Sequence, residues 1–446
     1  MREKIKLPPQ VLRILEKLSS CGYEAFAVGG CIRDSLLGAE PSDWDICTNA
    51  LPHETKSCFQ EIPVIETGIQ HGTVTLLIDH LPFEVTTYRI DGNYSDGRRP
   101  DHVCFTAQLQ DDLSRRDFTI NAMAYHPRLG IIDPFHGKKD LKRGILRCVG
   151  TPENRFHEDG LRIMRGIRFV SQLGFSLEKK TQTALYSCCT LLQKVSAERL
   201  RTELDKLLCG AAVEKTLRDH GEILACFIPE LRPMFHLDQQ NRHHIYTVWE
   251  HTARAVSQIS RTPLLRLCAL FHDIGKPGTM TVDSDGCGHF YNHESLSAEL
   301  SERIMTRLKY DSRTISRVKE VIRSHNIVFQ PTEKHARRLL CRLGEETLRL
   351  LIELELADVK SQNPIFTAQR VKNIQAFSQK AEDVLQARQC FSLRHLALNG
   401  TDLLALGIPQ GPQIGRILHM LLEQVIEGSL QNEKQALYAA VRKLTD

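Results

Sequence analysis

The first segment, "PPQVLRILEKLSSCG" (residues 8–22), has apolar residues at helical spacing and is closed by Gly22, which predicts a helix. The period then changes. "EAFAVGG" (24–30) is a short apolar run and reads as a buried strand, "CIRDSLLGA" (31–39) as a short helix, and "DWDICT" (43–48) as a second strand. "TVTLLIDHLPFEVTTYR" (73–89) has two β-branched runs around a "DHLP" turn, the pattern of a hairpin. "RIDGNYSDGRRPDHVCF" (89–105) is rich in Gly, Asp and Arg and has no period, so it is expected to be a mobile loop, longer than most connections. From about residue 110 the pattern turns helical, and beyond 150 helix signals dominate. The fold class expected is α+β: a small head with a mixed sheet and helices, followed by an all-α body.

Composition narrows this only a little. A chain of 446 residues is too long for one ordinary core, so about two to four domains are expected. The net charge of +4 leans weakly toward anionic partners and is compatible with RNA without indicating it. Fourteen cysteines are scattered with no C-x-x-C among them. That argues for reduced thiols in a cytoplasmic protein rather than a disulfide framework. The charged, amphipathic start has no apolar signal region. No run of about 18 apolar residues occurs, so no membrane partner is expected.

The first chemistry lies between residues 25 and 48. On a strand, Asp43 and Asp45 project to one face and Trp44 to the other. Two carboxylates that close repel unless a cation lies between them. A hard ion such as Mg²⁺ takes such oxygens and shares its remaining positions with substrate phosphates. Gly29 and Gly30 let the backbone approach a bulky ligand, and the helix that follows directs its free N–H groups to the same place. Arg33, on the first turn, adds a fork for phosphate. A glycine pair alone is usually a turn, and an Asp-x-Asp alone is usually a solvated strand edge. Together they describe a nucleoside triphosphate held by two metals for in-line attack.

"VGGCIRDSLLG" (28–38) followed by "SDWDICT" (42–48) resembles the signature of the class II nucleotidyltransferases, which comprise the CCA-adding enzymes of tRNA and the bacterial poly(A) polymerases. The resemblance implies a polymerase-β-like head in which Asp43 and Asp45 are catalytic and hold Mg²⁺, with Gly29, Gly30, Arg33 and Asp34 at the nucleotide. "DLSRRDFTINAMAY" (112–125) resembles the family's second motif, placing Arg116 and Asp117 at the ribose and triphosphate, and "DPFHGKKDL" (133–141) resembles the hinge. "HEDGLRIMRGIRFVSQLGF" (157–175) resembles the base-reading motif, and "SAERLRTELDKLL" (196–208) the neck. Read as a helix, Asp159, Arg162, Arg165 and Arg168 make one stripe of acceptors and donors. The family uses such a stripe in place of a nucleic acid template. By charge pattern alone it is equally a solvated salt-bridge face, and Arg165 and Arg168 also suit the triphosphate. Glu84 sits on a strand expected to neighbour the Asp-x-Asp strand. In the family a glutamate there helps deprotonate the primer 3′-hydroxyl; the alternative is an edge acid paired to Arg89. The loop at 89–105 is whole, as in family members that add the terminal adenosine.

The body carries a second constellation: His244, His251, the pair His272-Asp273, His293, His325 and Asp358, on successive helical segments. So many imidazoles and carboxylates around a His-Asp dipeptide form a metal-site pattern. The segment resembles the HD phosphohydrolase superfamily. That resemblance implies His251, His272, Asp273 and Asp358 as metal ligands and His293 and His325 as holders of a second metal, with Mn²⁺, Ni²⁺ or Co²⁺ suited to the mixed set. A degenerate module that only grips tRNA is the alternative. The last segment, from 396, resembles the tail of bacterial CCA-adding enzymes, without the strongly basic extension of poly(A) polymerases. The expected domains are a head at 1–150, a neck at 151–220, an HD-like body at 221–385 and a tRNA-binding tail at 386–446. The expected partners are tRNA, CTP and ATP. Poly(A) synthesis, adenosine addition in a split system, and a phosphohydrolase whose head only clamps RNA remain the other readings.

Overall fold

The structure, a computed structural model, describes residues 4–66, 68–92 and 102–445. They fall into two compact units, Met1–Pro229 and Glu230–Asp446.

The first unit is built on β1 (Ala25–Val28), β2 (Asp45–Thr48), β3 (Val64–Ile65), β4 (Thr73–Ile78), β5 (Leu81–Thr87), β6 (Arg89–Asp91), β7 (Val103–Phe105), β8 (Ala124–His126) and β9 (Gly130–Ile132). Seven of them form one mixed sheet in the order β3-β4-β5-β2-β1-β8-β9. β1 is buried along its whole length, which is why its sequence is a continuous apolar run rather than an alternating one. β4 alternates, with Val74, Leu76 and Ile78 buried. Its hairpin with β5 turns on Asp79 and His80, both at positive φ (51° and 64°), as a two-residue turn between right-twisted strands requires. The register sets Val28 opposite Asp45 and Ile46 beside Val85. Gly29, Asp45 and Glu84 therefore meet at one end of the three central strands.

Three expectations need correction. Asp43 lies before β2, not within it, although the alternation survives: Trp44 is buried and both aspartates face outward. The segment 89–105 is not structureless, since β6 and β7 pair with each other; its tip, residues 93–101, lies outside the described residues. Asp159 is not helical. It sits at φ −147° in a break between the helices Pro152–Glu158 and Leu161–Leu173. Gly160 follows the break, where a Cβ would come within 3.1 Å of the Leu191 carbonyl oxygen.

The second unit is helical apart from the small hairpin Met280–Val282 with Gly288–Phe290. The helix Pro263–Phe271 is buried from Leu265 onward and delivers His272 and Asp273 into the interior. The helices Gly400–Ala405, Pro412–Glu427 and Lys434–Thr445 close around Leu403, Leu421, Leu437 and Val441. All fourteen cysteines are free, as their spacing implied. Among the described residues no helix is long and apolar enough to cross a membrane.

Candidate functional site

In the first unit a cleft of 790 Å³ opens above the sheet end that carries Gly29 and Asp45. It is lined by Gly29, Gly30, Arg33, Asp34, Asp43, Asp45, Arg116, Asp117, Asp159, Arg162, Arg165 and Arg168, which are all the head and neck residues expected from the sequence except Glu84. A larger groove of 1180 Å³, between residues 4–10 and Leu81, Pro82 and Phe83, shares Ser42 and Asp43 with it but has none of the arginines.

Gly29 is required by geometry. Its φ is +88°, and a Cβ would meet Arg116 Nη1 at 3.0 Å. Gly30 carries no such strain, and a Cβ there would meet only Arg33 Nη2, at 3.6 Å. Gly29→Ala should therefore lower Tm by several degrees, since a left-handed alanine costs about 1–2 kcal/mol. Gly30→Ala should leave Tm within a degree or so, which thermal denaturation of both variants will show.

The acids are crowded. The Asp45 carboxyl is held above the usual carboxylate range, chiefly by desolvation; Arg116 opposes this, while Glu84 and Asp43 push it further up. A cation among these oxygens would relieve the crowding, so the donors suit Mg²⁺. Asp43, Asp45 and Glu84 are not, however, among the residue groups whose ligand atoms already lie within 4.8 Å of one another.

The basic side chains are not free forks. Arg33 is bidentate to Asp34 (2.8 and 2.9 Å) and reaches Asn121 Oδ1 at 2.7 Å. Half-buried Arg116 donates to Asp112 at 3.3 Å. Asp117 accepts from Asn121 (3.1 Å) and Arg165 (2.7 Å), and although burial pushes its pKa up, Arg165, Asn121 and Arg162 together bring it down to about 2. Arg162 is held by the carbonyls of Arg155 and Arg115 at 3.1 and 2.9 Å. Arg168 pairs with Glu203 at 2.5 Å.

Sequence reasoning passed over several cleft residues. The Phe169 ring carries the guanidiniums of Arg168, Arg33 and Arg165 at 3.9, 5.0 and 5.6 Å from its centre. Arg199 forks onto Asp159 at 2.7 and 3.2 Å. Arg199, Glu203 and Lys206 stand at i, i+4 and i+7 on the helix Ala197–Leu208, a spacing visible in the sequence.

The second unit gathers the histidines. His251, His272, Asp273 and Asp358 form one group with ligand atoms within 4.8 Å, and Asp273, His293 and His325 form another. The ring tautomers explain why. Each Nδ1 faces a backbone carbonyl: Ser361 for His251 (3.3 Å), Ala269 for His272 (2.8 Å), Phe290 for His293 (2.7 Å) and Ile322 for His325. A carbonyl only accepts, so each Nδ1 carries the proton and each Nε2 is left as a donor toward a cation. These Nε2 atoms face one another at 3.3 Å (His251 and His272) and 3.2 Å (His293 and His325). Asp273 turns Oδ2 to the first pair (3.4 and 3.2 Å) and Oδ1 to His293 at 3.4 Å. Bare lone pairs at that separation need a positive charge between them. A proton on His272 can supply that charge as a metal can: burial works against it, yet Asp273 and Asp358 raise the pKa to about 10. His325 is pushed down to about 4, first by burial and then by the other imidazoles. His244 adjoins the site, 5.3 Å ring to ring from His251, without joining either group. Lys276, which the sequence reading passed over, places Nζ 2.8 Å from Asp273 Oδ2. His244, Asp273, Lys276, His293, His325 and Asp358 line a pocket of 230 Å³.

Comparison with known proteins agrees with the first unit. A family model described as the poly A polymerase head domain matches residues 25–147. Two others, for an RNA- and SrmB-binding site of polymerase A and for a second domain of tRNA nucleotidyltransferases, match 174–234 and 291–441. The CCA-adding enzyme of Levilactobacillus brevis is 35% identical over 428 residues, 96% of each chain, and that of Pediococcus pentosaceus is 33% identical over 435 residues, 97% of this chain and 96% of the other. The crystal structure of the Bacillus stearothermophilus CCA-adding enzyme in complex with CTP superposes with a TM-score of 0.69 at 27% identity, covering 98% of both chains. The Thermotoga maritima enzyme complexed with tRNA, 20% identical with a TM-score of 0.58, shares the fold. With relatives matched over nearly their whole length, and with a glycine turn and paired aspartates opening on one arginine-lined cleft, this chain belongs to the CCA-adding enzymes, a family of nucleotidyltransferases.

Proposed function

We propose that this chain adds C, C and A to the 3′ end of tRNA from CTP and ATP, by Mg²⁺-dependent nucleotidyl transfer in the cleft at Asp43 and Asp45, and that it works in the cytoplasm. The observation that carries the reading is the convergence of residues from three distant segments on that cleft. Asp43 and Asp45 would hold Mg²⁺, which when bound neutralises charge developing at the α-phosphorus. The primer 3′-oxygen bonds to that phosphorus, the P–O bond to the β-phosphate breaks, and pyrophosphate leaves. Gly29 and Gly30 admit the triphosphate to the backbone, and Arg33, Arg116 and Arg165 offset its charge. Glu84 is the nearest candidate for the hydroxyl proton, because its strand position adjoins Asp45.

Asp159 and Arg162 are placed to read the base edge, with Arg199 fixing the Asp159 carboxylate. Asp159→Ala should lose about tenfold to a hundredfold of the preference for CTP and ATP over UTP and GTP. Arg199→Ala should lose part of it, since the carboxylate then turns freely. Competition assays with all four nucleotides will decide, and undiminished rejection of UTP and GTP by the Asp159 variant removes it from base choice.

We divide the chain functionally into a head (1–150), neck (151–220), HD-like body (221–385) and tRNA-binding tail (386–446). Relatives matched along their whole length favour full CCA addition over poly(A) synthesis, and the loop at 89–105 favours it over an A-less product. The direct test is incubation of tRNA lacking its 3′ end with labelled CTP, ATP or both. Both nucleotides together should extend it by three residues and stop; a long adenosine tail, or addition from ATP alone to that tRNA, overturns the reading.

A second activity is favoured by the four inward Nε2 atoms and the two-faced Asp273. We infer that the second unit is an HD-type phosphohydrolase using Mn²⁺, Ni²⁺ or Co²⁺, acting on 2′,3′-cyclic phosphates at RNA ends. His251, His272, Asp273 and Asp358 would hold one metal and His293 and His325 a second, and such a metal when bound makes water a nucleophile at neutral pH. In the hydrolysis a water oxygen bonds to phosphorus, one P–O ester bond opens, and the released ribose oxygen takes a proton. Lys276 is placed to offset charge on the phosphoryl group.

A further inference from the structure

The residues at the mouth of the 230 Å³ pocket point to what its substrate carries beyond a phosphate. Tyr291 lines the pocket yet is 69% exposed, unusual for a large aromatic. One face of its ring lies flat on His289, with the planes 8° apart and the centres at 5.4 Å. His289 is in turn held by Asp283 Oδ2 at 2.7 Å. The hairpin that carries His289 and ends just before Tyr291 is clamped: Gly288 donates to the Gln240 carbonyl at 2.9 Å, and a Cβ on Gly288 would come within 2.3 Å of the Gln239 carbonyl oxygen. Two residues after Tyr291, the chain places His293 in the metal-ligand cluster. An open aromatic face thus lines the same pocket as the histidine cluster. A nucleotide joins a planar base to a phosphate through one sugar.

We propose that Tyr291, backed by His289, is a stacking platform for the base of a terminal nucleotide whose phosphate lies at the histidine cluster. This rests on the hydrolase reading of that cluster. Stacking accepts any base, so the platform admits RNA ends without reading sequence. The outer face of Tyr291 does the work, and the hydroxyl is dispensable.

The test compares adenosine 2′,3′-cyclic phosphate with base-free 1-O-methylribose 2,3-cyclic phosphate, using the full chain supplied with Mn²⁺, Ni²⁺ or Co²⁺. In Tyr291→Ala the KM for the nucleoside substrate should rise about tenfold or more, with kcat and the base-free substrate unchanged. Tyr291→Phe should behave as wild type. Equal effects on both substrates, or none on either, overturn the platform. If the wild type cleaves neither substrate with any of the three metals, the hydrolase reading falls. Calorimetric titration with adenosine 3′-phosphate against ribose phosphate then decides the platform alone. A nucleotide-specific weakening of about tenfold in Tyr291→Ala sustains it, and equal affinities sink it.

Discussion

Replacing Asp45, or Asp43, by alanine should abolish nucleotide addition, with a fall of about a thousandfold or more expected when a group proposed to support developing phosphoryl charge is removed. The tRNA is expected to rest on the neck and tail, so its Kd should stay within a few-fold of wild type. Stability gives a second, independent readout at Asp45. Desolvation, Glu84 and Asp43 hold the folded carboxyl above its ordinary range. An acid with a raised folded pKa binds protons more readily in the native state. Its contribution is therefore favourable at low pH and is lost as pH rises through the ordinary carboxylate range toward the folded value. At neutral pH the ionised carboxylate costs stability, so Asp45→Asn should be inactive yet melt at or above the wild-type temperature. Near-wild-type incorporation by either alanine variant would move the active site elsewhere. A marked drop in Tm for Asp45→Asn would mean that the carboxylate supports the fold instead.

Asp273→Asn should remove bound transition metal and phosphohydrolysis, by about a thousandfold, and leave nucleotide addition intact. Asp273 is the residue shared by both ligand groups, so one change disables each. Both substitutions remove the counter-charge of buried His272 and Lys276, but alanine also leaves them without an acceptor, and breaking such a pair costs about 3–5 kcal/mol. Asparagine keeps the shape and one acceptor oxygen. Metal analysis of purified wild type and variant, beside both activity assays, separates the outcomes. No bound metal and no hydrolysis in the wild type would leave the cluster without catalytic meaning. Loss of CCA addition in a folded variant would tie the two sites together.

Much of the cleft was legible because its signals are local. Gly29 announces a positive φ that other residues avoid, and Trp44 between two aspartates announces which side faces the core. The His272-Asp273 pair follows an apolar helix whose burial is written in its composition. Each depends on residues a few positions apart. The break at Asp159 was not legible, because apolar residues on both sides keep a helical period, and the close packing of Leu191 on Gly160 comes from a segment about thirty residues on. Arg199 was overlooked for a related reason. It lies 40 positions from Asp159, and the local spacing with Glu203 and Lys206 shows a shared helix face without showing what that face meets. The pairing of β6 with β7 also escaped, since each is three residues long and their ends carry too few side chains to show a period.

The chain by itself therefore determined the kinds of chemistry present: a glycine turn before a helix, two outward aspartates, a run of arginines and a set of histidines. These follow from backbone sterics, periodicity and charge, which act over a few residues. Only the tertiary structure decided which partners those groups have. It closed Arg33 on Asp34 and Arg165 on Asp117, set Glu84 beside Asp45, and turned the Nε2 atoms of four histidines inward by giving each Nδ1 a carbonyl. Such pairings depend on packing between segments far apart in the chain, where burial makes an unpartnered polar atom costly and so selects one arrangement.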